Sequence, residues 1–173
     1  MVTKREFARF KRNGGPMTSE APAGGLCLSC FVIISKKGRP SQVLMGKLNV
    51  EANWDHLGAL DAERASKFSG GWMLPSSHLM LQETPGLAAE RILAEQLGLT
   101  YQKLEGPVVF SEVYGANNHW DVSFIYTGEL EGEVAPHPAW KELRFVDLGR
   151  IGQEDIARSH EDILAQVGKW PPP

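Results

Sequence analysis

The sequence predicts a single α+β domain in which helices cover the faces of a mixed β-sheet. A length of 173 residues is enough for one domain with its own core and too short for two. The apolar fraction of 42% and the charged fraction of 23% are typical of a globular protein. Strand and helix patterns follow one another in the order strands, helix, strands, helix, which favours a sheet flanked by helices.

Composition divides the chain into three parts. Residues 1–24 form a basic N-terminal arm and linker, residues 25–168 form the domain, and residues 169–173 form a flexible tail. We expect the arm to hold a short helix followed by a Gly-, Pro- and Ala-rich linker. Its basic face either contacts phosphate or an acidic surface, or belongs to a solvated or dimer-clasping arm.

The first half of the domain begins with two strands. The segment LCLSCFVIISKKGRPSQVLMGKL, residues 26–48, predicts two strands joined at a Lys-Gly-Arg-Pro turn, and the first is apolar enough to be central. The segment GGWMLPSS, residues 70–77, predicts a short extended piece. Between them, residues 49–68 are either an insertion over a pocket or a surface helix.

The clearest helix covers Thr84 to Leu97. Thr84 can cap its N-terminus, Pro85 suits the first helical position, and Gly98 is a typical C-terminal stop. Leu87, Arg91 and Glu95 share one line of this helix, and Ala88, Ile92 and Gln96 share the next.

The second half of the domain is predicted as three strands and a helix. The strand segments are GPVVFSEVYG, HWDVSFIYTGEL and WKELRFVDLGRI, with a hairpin loop from Gly115 to His119. Apolar residues at helical spacing predict a last helix from Gln153 to Val167, ending at Gly168.

Charge and hydropathy exclude several partners. A formal charge of -3 and a pI of about 6.0 provide no field for nucleic acid, so no nucleic-acid partner is expected. No apolar stretch approaches the length of a membrane span, so no membrane is expected either. The low cysteine content and the lack of a signal peptide favour a reducing, cytoplasmic compartment.

The two cysteines form a CLSC tetrad at Cys27 and Cys30. Such a tetrad is either half of a zinc site, a redox pair, or two thiols packed in a strand. The packed-strand interpretation is favoured, because no second CxxC and no HxxxH accompanies the tetrad.

One segment resembles a known motif. Residues 74–99 read LPSSHLMLQETPGLAAERILAEQLGL, and residues 72–75 read WMLP. This segment resembles the Nudix box, G-x5-E-x7-R-E-U-x-E-E-x-G-U with U a bulky aliphatic residue, and its W-x-L-P lead-in. Residues 77–99 are called the box below. Glu83, Arg91, Leu93, Glu95, Gly98 and Leu99 match the pattern, and Ser77, Ile92 and Gln96 depart from it.

The resemblance implies a Nudix-like α/β/α sandwich and a hydrolase of a nucleoside diphosphate linked to another moiety. Attack of water at phosphorus adds charge to anionic oxygens, which Mg²⁺ or Mn²⁺ must neutralise. The implied catalytic residues are Glu83, Arg91 and Glu95, and the implied metal ligands are Glu83, Glu95 and the backbone carbonyl of Ser77. His78, beside the metal loop, and Gln96 are candidate substrate-binding residues.

Two departures remove chemistry from the box. Ile92 replaces a carboxylate with an aliphatic side chain, and Gln96 keeps only a neutral amide oxygen, a weaker partner for a hard cation. We therefore expect Mg²⁺ or Mn²⁺ to be weakly bound or absent and hydrolysis to be weak or altered. Acids outside the box could replace the lost ligands, and the candidates are Glu112, Asp121, Glu133 and Glu142.

Three functions remain open from the sequence. The first is a Nudix pyrophosphohydrolase with a degenerate metal site. The second is a non-catalytic module that senses a nucleotide or binds a protein, and the third is a dimerising scaffold. In the first two cases the expected ligand is a small phosphorylated molecule or a nucleotide, and a homodimer is possible in all three.

Overall fold

The computed structural model describes residues 9–10, 25–52, 70–100, 103–114 and 119–171. Most of the segment 49–68 and the loop 115–118 lie outside the described residues. None of the helices in the described ranges has the length and apolarity to cross a membrane. The strands are β1 (Arg9–Phe10), β2 (Leu26–Lys36), β3 (Arg39–Leu48), β4 (Ser76–His78), β5 (Leu104–Tyr114), β6 (His119–Leu130) and β7 (Trp140–Asp147), and the helices are α1 (Pro85–Leu97) and α2 (His160–Gln166).

The sheet is built around β2, the strand expected to be central. Its order is β5-β6-β2-β3-β7, and β1 and β4 also pair with β2. β2 runs parallel to β6 along its whole length, and antiparallel to β3 and β4. The predicted mixed sheet is therefore confirmed, and the apolar run of β2 lies in its interior.

Alternation along β2 sends successive side chains to two different hydrophobic clusters. Val32 and Ile34 pack with Ile92 of α1 on one face. Ile33 packs with Ile163 of α2 on the other face. The sheet therefore lies between two helices, and the expected α/β/α sandwich is confirmed.

The two cysteines of the tetrad point to opposite faces of the sheet, because they stand three residues apart on one strand. Both are buried and neither forms a disulfide, as the packed-strand interpretation expected. Cys30 lies in the cluster beneath α1, where burial raises the pKa of its thiol to about 12 despite the nearby Arg91. The pair therefore cannot chelate one ion, and Cys30 keeps its proton.

Helix α1 has the ends that the sequence predicts. The Thr84 side chain accepts a hydrogen bond from the backbone N–H of Leu87 at 3.3 Å, and Pro85 occupies the first helical position. Gly98 has a φ of 66°, and its N–H bonds back to the helix carbonyls. Local sequence alone is enough to place this helix.

The predicted helix from Gln153 to Val167 is wrong in its first half. A 3-10 turn covers Gln153–Asp155, and the chain then pairs with the segment before β4. Trp72 N–H donates to the carbonyl of Asp155 at 2.8 Å, and Ala157 N–H donates to the carbonyl of Trp72 at 2.9 Å. These long-range bonds replace helical ones, so α2 begins only at His160. Two left-handed residues precede it, Arg158 with φ 63° and Ser159 with φ 54°.

Residues near both ends of the chain contact the domain. Arg9–Phe10, expected within a short helix, instead form β1 and pair with the start of β2; the rest of the arm lies outside the described residues. At the other end, Trp170 packs against the cluster beneath α2. The ammonium group of Lys169 donates to the carbonyl of Pro40 at 3.0 Å.

Candidate functional site

Arg91 of α1 forms a bidentate ion pair with Glu83 and so connects the helix to the loop that precedes it. Arg91 Nε donates to Oε1 of Glu83 at 2.7 Å, and Nη2 donates to Oε2 at 2.9 Å. The two side chains are only 8% and 7% exposed. The backbone N–H of Met80 donates to Oε2 of Glu83 as well, at 2.8 Å. Both oxygens of Glu83 therefore accept hydrogen bonds from within the protein.

Arg91 also reaches β4 and the next turn of α1. Its Nη2 donates to the backbone carbonyl of His78 at 2.9 Å, and its Nη1 donates to the hydroxyl of Ser77 at 3.3 Å. Nη1 lies 3.9 Å from Oε2 of Glu95, whose side chain is 20% exposed. The structure thus brings Ser77, Glu83, Arg91 and Glu95 together, as the box pattern requires.

The backbone of Ser77 belongs to the hydrogen-bonded ladder between β2 and β4. Its register partner is Cys30, and backbone hydrogen bonds lie two residues away on either side of this pair. The alternation of an antiparallel ladder makes Ser77 and Cys30 a hydrogen-bonded pair, so the Ser77 carbonyl already accepts one bond. A carbonyl oxygen has a second lone pair, which leaves room for one more donor or ion.

The two departures in α1, Ile92 and Gln96, are fully buried. Ile92 packs in the cluster between α1 and the sheet. The amide of Gln96 binds the backbone of Ser76 twice, because its Nε2 donates to the carbonyl at 2.8 Å and its Oε1 accepts from the N–H at 3.1 Å. The Gln96 side chain therefore holds α1 against the start of β4. The Gln96 amide could contact a ligand only after both of these hydrogen bonds break.

His78 lies on the opposite face of the sheet from the box acids. The register partner of His78 is Ser29, and successive side chains along β2 point to alternate faces of the sheet. The Nδ1 atom of His78 lies 3.1 Å from the Ser29 hydroxyl. Ser77 points to the α1 face with Cys30. Arg91 therefore contacts the backbone of His78, while the imidazole points toward the side of α2.

A buried polar cluster surrounds the His78 side chain. The Ser29 hydroxyl donates to Oδ2 of Asp121 at 2.7 Å, and the Ser123 hydroxyl donates to Oδ1 of Asp121 at 2.8 Å. Cys27 contributes its thiol, because Cys27 and Asp121 are register partners on β2 and β6. One ligand atom each of Cys27, His78 and Asp121 lies within 4.8 Å of the other two.

The four acids considered as replacement ligands separate into two groups. Glu133 forms an exposed ion pair with Lys36, and Glu142 pairs with Arg144 at 2.7 Å. Glu112 and Asp121 face each other across β5 and β6. Of the four acids, Asp121 is the carboxylate that the described hydrogen bonds connect to a residue of the box. The connection runs from Asp121 through Ser29 to His78.

Sequence reasoning considered Cys27 only together with Cys30, and it missed Ser29 and Ser123. Their signal was present, because Cys27 and Ser29 are small polar residues at alternate positions of an otherwise apolar strand. Alternation predicts that they share a face, but the strands that carry their partners cannot be aligned from sequence alone.

Comparison with known proteins gives the fold. Neither protein-family models nor curated proteins match the sequence. Solved structures do match. The NUDIX domain of Shewanella oneidensis NrtR, solved in complex with ADP ribose, has a TM-score of 0.60 at 16% identity, covering 82% of this chain and 86% of that one.

Other solved structures agree with this match. The MutT NUDIX hydrolase from Burkholderia pseudomallei has a TM-score of 0.58 at 20% identity, over 82% of this chain and 98% of its own. The MutT protein from Methanosarcina mazei has a TM-score of 0.57 at 16% identity, over 82% and 91%. The order of strands and helices and these matches together show that the chain has the Nudix fold.

Proposed function

We propose that this chain is a nucleotide-binding protein on the Nudix fold that does not hydrolyse its ligand. The observation that carries the proposal is the position of Glu83, whose two oxygens accept bonds from Arg91 and Met80. In this arrangement Glu83 and Arg91 stabilise the loop before α1. Because the positive charge of Arg91 already compensates the buried carboxylate of Glu83, Glu83 is a poor candidate for a metal ligand or base.

The donor set of the box fits Mg²⁺ or Mn²⁺ poorly. These ions prefer several oxygen ligands in an octahedral array. Ile92 offers none, and the oxygen of Gln96 accepts a bond from Ser76. Glu95 and the Ser77 carbonyl are the remaining donors. We expect weak binding of the ion, and no catalytic step is assigned to it.

The fold and one structural neighbour support the proposed ligand class. The NUDIX domain of NrtR was solved with ADP ribose, a nucleoside diphosphate linked to a sugar. We propose the same class of ligand here, with ADP ribose as the first probe. Selective binding to the folded state must raise the melting temperature, and the stabilisation grows with the logarithm of one plus the ratio of ligand concentration to Kd.

The test measures binding and turnover side by side. Isothermal titration with ADP ribose and with nucleoside triphosphates gives affinities. Chromatographic detection of the nucleoside monophosphate product with Mg²⁺ or Mn²⁺ gives turnover, because water cleaves ADP ribose to AMP and ribose 5-phosphate and releases no free phosphate. Binding of ADP ribose with turnover at the level of the protein-free control would support the proposal. Absence of binding to any nucleotide, or rapid turnover of one, would reject it.

A second candidate, slow hydrolysis, is favoured by Glu95. Its carboxylate is the most exposed of the retained box acids, at 20% against 7% for Glu83, and its contact to Arg91 is long, at 3.9 Å. If residual turnover is detected, Glu95→Gln should abolish it by removing the charged oxygen. Glu90→Gln is the matched control, because Glu90 is exposed on the same helix.

Restoring the two missing acids tests whether the fold still accepts the chemistry. Ile92→Glu/Gln96→Glu places two carboxylates at fully buried positions, so the variant should be less stable without metal. If the carboxylates form a site, Mn²⁺ should raise the melting temperature of the variant more than that of the parent chain. Equal effects of Mn²⁺ on both proteins would show that these positions cannot form a site.

A further inference from the structure

We infer that Cys27, His78 and Asp121 form a binding site for a thiophilic divalent cation of the zinc class. One ligand atom each from a thiol, an imidazole and a carboxylate lies within 4.8 Å of the other two. A mixed sulfur, nitrogen and oxygen set is typical of zinc and is not a set that Mg²⁺ selects. The site uses no acid of the box, and it does not rest on the proposed function.

The three ligands come from three strands that the fold fixes in register. Cys27 on β2 faces Asp121 on the parallel strand β6. Ser29, two residues further along β2, faces His78 on the antiparallel strand β4. Because side chains two apart on a strand share a face, all of these groups lie on the α2 side of the sheet. Strand positions are more rigid than loop positions, which suits a metal site.

Two serines orient the carboxylate, as a second shell does around a metal ligand. Ser29 and Ser123 each donate to a different oxygen of Asp121, at 2.7 Å and 2.8 Å. Because Ser29 gives its one proton to Asp121, it accepts from His78 across the 3.1 Å contact to Nδ1. This assigns the ring proton to Nδ1 and the lone pair to Nε2, the nitrogen that would bind an ion.

Binding requires only a small contraction of the cluster. Ligand atoms around tetrahedral zinc stand about 3.5 Å apart, against the present upper separation of 4.8 Å. The Cys27 thiol binds as thiolate and releases its proton to solvent, while Asp121 and neutral His78 bind without losing one. Three protein ligands leave a fourth position for water or a ligand atom.

Further carboxylates on the same side of the sheet add negative potential. Glu112 lies opposite Asp121 in the β5–β6 register. The pKa of Asp162 on α2 is raised by burial first and then by Glu161 and Glu112. Carboxylates close enough to repel one another in this way favour a cation between or beside them.

Cobalt is the best probe, because a thiolate ligand gives Co²⁺ an ultraviolet charge-transfer band. The full chain, stripped with a chelator, is titrated with Co²⁺ and then with Zn²⁺. We expect one Co²⁺ per chain, a thiolate band that Zn²⁺ abolishes, and no displacement by excess Mg²⁺. If the parent chain gives no thiolate band at one equivalent, the inference is rejected without any variant.

The two cysteines provide a matched pair of variants. Cys27→Ser should lose the band, and Cys30→Ser should keep it, because Cys30 points to the other face. Ser29→Ala should weaken binding by about 10- to 100-fold through the loss of ligand orientation. A band that survives Cys27→Ser, or that disappears with Cys30→Ser, would place the ion elsewhere. Should Cys27→Ser fail to fold, Asp121→Asn, which keeps the side-chain shape, must lower the Co²⁺ affinity at least tenfold.

Discussion

Arg91 is the residue that connects the box into one unit. Its guanidinium contacts Glu83, Glu95 and the hydroxyl and backbone of two residues of β4. The planar group with five N–H donors suits this task, and a lysine ammonium would reach fewer of these acceptors. The retained charged residues of the box, Glu83, Arg91 and Glu95, therefore contact one another, whereas Ile92 and Gln96 are fully buried.

Arg91→Ala should reduce the free energy of unfolding by about 3 kcal/mol, because it leaves the carboxylate of Glu83 buried and unpaired. Urea denaturation followed by circular dichroism measures this loss. Lys37→Ala is the control, since Lys37 makes a 3.1 Å ion pair with Glu131 on the exposed surface. Its loss should be under about 1 kcal/mol. Equal losses in the two variants would contradict the bracing role.

His160 predicts how stability depends on pH. It is fully buried, and its Nδ1 accepts a hydrogen bond from the N–H of Leu74 at 2.9 Å. Burial, and then Arg158, hold its pKa well below 6.5 in the folded state. Above pH 6.5 the imidazole is neutral in both states and has no effect. Below it the unfolded chain takes up a proton that the folded chain refuses, so stability falls as the pH falls.

The measurement is the free energy of unfolding between pH 7.5 and pH 5 for the parent chain and His160→Asn, which keeps an acceptor near Leu74. The parent should lose up to about 1.4 kcal/mol per pH unit more than the variant below pH 6.5. His137→Asn, at a less buried histidine, should retain most of the slope. Parallel curves for parent and His160→Asn would show that His160 is not the titrating group.

At the scale of elements, the sequence predicts what is local and misses what is long-range. α1 is predictable because Thr84, Pro85 and Gly98 lie next to the residues that they cap. The loss of the first half of the last helix is not predictable, because its backbone hydrogen-bonds to Trp72, which is far away in sequence. The same reason explains the site: the Arg91–Glu83 pair lies within one motif, while Cys27, His78 and Asp121 meet only when the sheet forms.

Two glycines at opposite ends of α1 should respond to alanine with opposite signs. Gly98→Ala forces a β-carbon into a left-handed residue with φ 66° and should lose about 1 kcal/mol. Gly86→Ala adds a methyl group within the first turn, where the new β-carbon would lie 3.8 Å from the Tyr126 hydroxyl oxygen. It should gain up to about 1 kcal/mol. Thermal denaturation of the two variants decides this, and a shift of the same sign in both would contradict the assigned C-cap.

At the scale of the whole molecule, helices cover the middle of the sheet on both faces, whereas the edge strand β5 is exposed to solvent. β5 forms one end of the strand order, and Val109 and Val113 are 58% and 54% exposed. Both share a face with Trp120, the register partner of Val113, which is 51% exposed. An exposed apolar row on an edge strand is a typical contact between copies of a chain, so we propose this row as the contact of the possible homodimer.

Val109→Lys/Val113→Lys should shift a dimer to monomer, because two ammonium groups would have to lose water in each half of the contact. Sedimentation equilibrium over a range of concentrations measures the association constant. Folding should be nearly unchanged, since both side chains already face solvent. Val50→Lys is the matched control, because Val50 is 46% exposed beyond the end of β3. A parent chain that sediments as a monomer at all concentrations, or a dimer that both variants leave intact, would show that this edge is not the contact.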